Sequence, residues 1–88
     1  MVECVWYENV YISKDGEVFG RILNRPAPGR FPICWQASVQ QKARQKHLPY
    51  QGYAPDIESA KKLVEQCLLL TGTAEPEVIE IIPQEQTP

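Results

Sequence analysis

Apolar positions alternate with polar ones along the first forty residues and then repeat at a helical spacing further on. From Glu3 to Ser13 the chain is rich in Val, Ile, Trp and Tyr, which predicts a first strand. Lys14-Asp15-Gly16 follows, and Asp-Gly supplies the positive φ that a tight hairpin turn requires. Glu17 to Leu23 returns as a second strand. Two prolines and Gly29 make Asn24–Arg30 a loop, after which Phe31 to Val39 predicts a third strand. Three consecutive strands with short connections make an antiparallel meander. Gln40 to Ala54 has no clean period, and we read Gln40–His47 as a basic loop rather than a helical turn.

The helix is announced at both ends. Asp56 is an N-cap residue, and Gly72 sits where a left-handed C-terminal cap belongs. Between them Ile57, Ala60, Leu63, Val64, Cys67, Leu68 and Leu70 fall within an arc of roughly 160°, a stripe that needs a sheet to cover. Leu69 lies off the stripe. Glu77–Ile82 is β-prone and bounded by prolines. Two readings are open for it, a fourth strand at the sheet edge or an extended arm that pairs with a partner chain. The prediction is an α+β fold, an antiparallel three-stranded sheet packed on one α-helix, with residues 1–82 a single domain and 83–88 a flexible tail.

Side chains alternate across a sheet, so the two faces can be assigned. Phe31, Ile33, Trp35, Ala37 and Val39 share the face that meets the helix. In the second strand Val18, Gly20 and Ile22 point inward, leaving Phe19, Arg21 and Leu23 outside. In the first strand Cys4, Trp6, Val10 and Ile12 form the inward set, with a bulge expected near Glu8-Asn9. The outer face then carries Tyr7, Tyr11, Phe19 and Arg21. Such aromatics serve either a binding surface or cross-strand pairing.

Composition sharpens this picture. The formal net charge of −2 conceals a segregation. Residues 1–50 hold seven Lys/Arg against four acids, and residues 51–88 hold two against seven. Between Glu17 and Asp56 there is no acid, and Arg21, Arg25, Arg30, Lys42, Arg44 and Lys46 all fall in that gap. The three cysteines, Cys4, Cys34 and Cys67, are odd in number and contain no C-x-x-C, which predicts reduced, buried thiols. Residues 1–8 lack the basic start and apolar run of a signal peptide, so the expected location is cytoplasmic with no membrane partner.

Little of the chain nominates chemistry. His47 is the single histidine, with no nucleophile or orienting residue marked out beside it. The spread cysteines do not match the paired ligand spacing of zinc sites, and no glycine pattern opens a helix as a nucleotide loop does. No catalytic residue, metal site or cofactor is therefore predicted.

The order Gly16-x-Val18-x-Gly20-Arg21-Ile22, Trp35-x-Ala37, Gly52-Tyr53-Ala54 and Ser59-Ala60-Lys61-Lys62-Leu63-Val64 resembles that of small phage and prophage accessory proteins built as a meander plus one helix. It covers most of residues 5–70. The resemblance implies a small inhibitor or adaptor, of the kind that includes anti-CRISPR proteins, and transfers no site residues. The strand–helix order is also similar to double-stranded-RNA-binding domains. Here no first helix precedes the strands and the helix starts on Asp56 and Glu58, which removes most RNA contacts of that fold. A three-strand DNA reader of the plant transcription-factor or integrase-arm type suits the outer face better.

The expectation is a non-catalytic protein-binding module, monomeric or weakly homodimeric. It would use Tyr7, Tyr11, Phe19, Arg21, Arg25, Arg30, Lys42, Arg44 and Lys46, with nucleic acid as the alternative partner of the same residues.

Overall fold

The computed structural model describes residues 1–77. In chain order the elements are β1 (Val2–Tyr7), β2 (Val10–Ser13), β3 (Val18–Asn24), β4 (Ile33–Ala37), α1 (Gln40–Gln45), β5 (Gln51–Ala54), α2 (Ile57–Leu70) and β6 (Ala74–Pro76). The strands form one six-stranded sheet in the order β5-β4-β3-β2-β1-β6. Neighbours from β1 through β5 are antiparallel, while β6 lies parallel to β1. The fold is α+β, but the sheet is mixed rather than purely antiparallel, twice as wide as the predicted meander, and accompanied by two helices.

The extra strands have local causes. The predicted first strand is a hairpin, because Glu8-Asn9 is a two-residue turn that sets Tyr7 opposite Val10 and Trp6 opposite Tyr11. Glu8 adopts φ +55°, supplying the left-handed residue that such a turn needs. Residues paired across a hairpin share a face, so Tyr11 joins Trp6 on the inner side and Val10 joins Tyr7 outside. A continuous strand would have done the reverse. A second irregularity follows: Tyr11 pairs with Gly20 but Ile12 pairs with Val18, which leaves Phe19 as the extra residue of a bulge. Freed from alternation, Phe19 enters the core and is only 8% exposed.

The stretch read as a loop is α1 followed by β5. Ala43 anchors α1 with no exposure, and the helix closes on His47, whose φ of +56° makes the left-handed cap. The His47 amide donates to Arg44 O and the Leu48 amide to Ala43 O, the two reversed bonds of a Schellman ending. β5 adds to β4 with Trp35 opposite Gly52 and Cys34 opposite Tyr53.

β5 and β6 lie at opposite edges, so α2 must cross the sheet to connect them. Its fourteen residues extend about 21 Å, close to the ~24 Å spanned by five interstrand gaps. The predicted caps hold. The Ser59 amide donates to Asp56 Oδ1 at 2.8 Å, and Gly72, at φ +68°, lets the Gly72 and Thr73 amides reach Leu69 O and Leu68 O. Ala60, Val64, Cys67 and Leu68 are the buried residues of α2. The stripe is narrower than predicted, since Ile57 and Leu70 at its ends are exposed, as is Leu69. Val64 sits directly over Gly20, where a side chain would have no room. Phe31, expected inward, precedes β4 and is 55% exposed.

Of the Glu77–Ile82 segment only Glu77 is described, and its amide donates to Cys4 O at 3.0 Å. The remainder of that segment and the predicted tail 83–88 lie outside the described residues.

Candidate functional site

With α2 across the inner face, the outer face of the sheet is covered by no element among the described residues. The register lays out its rows. Tyr7, Val10, Arg21, Gln36 and Gln51 form one row across five strands. Leu23, Cys34 and Tyr53 form a second row, and Val5, Ile12 and Val18 a third. This face has two halves of different chemistry. Over β1–β2 it is largely apolar, with Val5 42% and Tyr7 70% exposed and Glu3 at one end. Over β3–β5 it is cationic and amide-rich, and the acid-free stretch of sequence between Glu17 and Asp56 is the reason.

The nine residues nominated from sequence separate accordingly. Tyr7 and Arg21 are exposed on the outer face as predicted. Tyr11, 1% exposed, and Phe19 are core residues; the hairpin and the bulge moved them there, and neither can meet a partner. Arg25 and Arg30 flank the same face. Arg25 lines a cleft of about 370 Å³ with Cys34, Gln36, Gln51 and Tyr53, and the Arg30 guanidinium lies 4.3 Å from the Tyr53 ring centroid. Lys42 borders a second, open cleft of about 660 Å³ with Gln40, Gln41 and Tyr50. The two clefts meet at Gln36 and Gln51, which line both.

Arg44 and Lys46 are drawn away. The Arg44 guanidinium sits over the Tyr50 ring at 5.7 Å and donates to its hydroxyl at 3.3 Å. Lys46 Nζ donates to Leu70 O at 3.1 Å, a cation on the carbonyl end of α2. These two contacts tie α1 to its surroundings. The site thus assembled is Arg21, Arg25, Arg30 and Lys42 around Gln36, Gln51 and Tyr53. The last three were not nominated from sequence. Gln36 is marked only by alternating with the inward Trp35 and Ala37. For Gln51 and Tyr53 the alternation of Gln51-Gly52-Tyr53-Ala54 is the only signal, and the five residues between Pro49 and Pro55 are too few to show a period.

Cys34 lines the smaller cleft, whereas Cys4, Cys67, Tyr11 and Glu65 lie away from the site and serve the fold. All three cysteines are free and buried. Burial pushes the Cys67 thiol up, and burial with the nearby Glu17 carboxylate does the same to Cys4, so both are held in the unreactive thiol form. Tyr11 packs its ring on Trp6 at 4.7 Å, and its buried hydroxyl has no hydrogen-bond partner among the described residues. Burial, then Glu65, raises its pKa. Trp6 Nε1 donates to Glu65 Oε2 at 2.6 Å while Lys61 rests 5.3 Å from the Trp6 ring, a contact that clamps α2 to β1. Among the described residues no three His, Cys, Asp or Glu side chains gather as a metal site would need, and no helix is long and apolar enough to cross a membrane.

Comparison of the chain with protein-family models, curated proteins and solved structures gives no match.

Proposed function

We propose that the protein is a non-catalytic binding module, an inhibitor or adaptor of the small phage-protein kind, that covers an acidic surface of a partner protein with the outer sheet face over β3–β5. One observation carries this reading. Arg21, Arg25, Arg30 and Lys42 border one open face whose strands contain no acid, so their field is not cancelled locally. The apolar half at Val5 and Tyr7 extends the surface with area that a protein partner can desolvate.

The same cations favour nucleic acid as a second reading. Against it stands the loss of most of the stacking platform. Tyr11 and Phe19 are buried, Tyr53 and Tyr50 each carry an arginine on the ring, and Tyr7, still open, lies over the apolar half of the face away from the cations. Strand binders of this type need open aromatic faces for bases.

The test is capture from lysate by the wild-type protein and by an Arg21→Glu/Arg25→Glu variant, with Lys14→Glu/Lys62→Glu as a control of equal charge change. Partners lost only with the arginine variant support the proposal. Equal capture by all three proteins refutes it. Tighter binding to oligothymidylate than to any captured protein, falling steeply with salt, would hand the face to nucleic acid.

A further inference from the structure

We infer that the free edge of β5 receives an extended acidic segment of the partner as an added antiparallel strand; this deepens, and rests on, the proposed binding role of the outer face. β5 ends the sheet on its side. The Ala37 amide donates to Tyr50 O at 2.8 Å, which makes those two a hydrogen-bonded pair. Alternation along an antiparallel ladder then turns Gly52 and Ala54 toward β4 and directs the N–H and C=O of Gln51 and Tyr53 away from it. Those four backbone groups are the template that strand addition uses. The edge is also held rigidly: a Cβ on Gly52 would lie 3.0 Å from Trp35 Nε1, so the indole of a buried residue braces the strand from beneath.

Charge selects the occupant. Alternate side chains of an added strand would stand on the outer face beside Gln51 and Tyr53. Arg30 on the Tyr53 ring and Arg25 in the adjoining cleft lie at one end, and Lys42 in the second cleft lies at the other. Carboxylates at alternate positions match that row. A second copy of this chain does not, because pairing β5 with β5 sets the same cations against one another. A nucleic-acid strand offers no backbone amide to the edge, so it would use the cations and leave Gln51 and Tyr53 unpaired.

The probe is a fluorescent peptide of alternating glutamate and threonine, read by anisotropy, alongside the same peptide N-methylated at alternate residues. N-methylation removes strand-pairing donors without changing charge. Binding of the parent peptide, weakened about tenfold or more by N-methylation, is the expected result. Gln51→Pro should weaken the parent peptide similarly, since it deletes an outward amide and spares the ladder to β4. Should that variant unfold, the paired peptides on the wild-type protein decide the matter alone. Equal affinity for the two peptides overturns edge pairing; if Arg21→Ala/Arg25→Ala/Arg30→Ala still abolishes binding, the outer-face reading survives. Binding of neither peptide at low salt, or a concentration-dependent mass that Gln51→Pro abolishes, also overturns the added strand.

Discussion

The open outer face exists only because α2 occupies the other side, and Gly20 is where that packing can be tested most directly. A Cβ built on Gly20 falls well inside van der Waals contact with Val64 Cγ1 and 3.2 Å from Gln36 O. Val64 has no exposure and lies mid-helix, so it cannot rotate aside without shifting α2. Overpacking of this kind costs about 1–3 kcal/mol, and the immobility of both partners places Gly20→Ala near the upper end. Val64→Ala alone removes two buried methyl groups and leaves a cavity, a loss of about 2 kcal/mol. Combined, the new methyl group occupies space that the valine vacated. The double variant should then lose about 2 kcal/mol rather than ~4–5, a coupling of about 2–3 kcal/mol. Urea denaturation followed by the fluorescence of Trp6 and Trp35 gives all four corners of the cycle. In a domain this small Gly20→Ala should also lower Tm by ~10–20 °C. Additivity within about 0.5 kcal/mol, or a neutral Gly20→Ala, would mean that α2 does not cross the sheet at this point, and the claim of a free outer face would fall with it.

Two further outcomes test the core and the helix start. Tyr11→Phe removes a buried hydroxyl that lacks a partner among the described residues, so stability should stay unchanged or rise by up to about 1 kcal/mol; a loss larger than that in denaturant melts would show that the hydroxyl is hydrogen-bonded. The hydrogen bond from the Ser59 amide, with a smaller part from its side chain, holds the Asp56 carboxyl below its usual pKa. A lowered folded-state pKa means stabilisation that is present above the ordinary carboxylate pKa and lost as pH falls through the lowered value. Wild-type protein should therefore exceed Asp56→Asn in unfolding midpoint near neutral pH, with the gap closing on acidification. A pH-independent gap would assign the cap to geometry alone.

The sequence by itself determined α2, its Asp56 and Gly72 caps, the Lys14–Gly16 turn and the inward set Ile33, Trp35 and Ala37, because each rests on a local signal: an N-cap oxygen, a positive φ, a period. It also determined that strands β3–β5 would be free of acid. Tertiary structure decided the rest. One two-residue turn at Glu8-Asn9 and one extra residue at Phe19 exchanged the faces of the two aromatics most prominent in the predicted site. Alternation carries no record of where it is interrupted, and each interruption reverses every side chain beyond it. β5 and α1 are too short for a period and form because β4 offers a free edge and the core a place for Ala43. The grouping of Arg25, Arg30 and Lys42 about Gln36, Gln51 and Tyr53 follows from that same edge. It brings together residues far apart in the chain, and pairing across strands, rather than any property of the segments themselves, sets which cations border the outer face and which are drawn to Tyr50 and the end of α2.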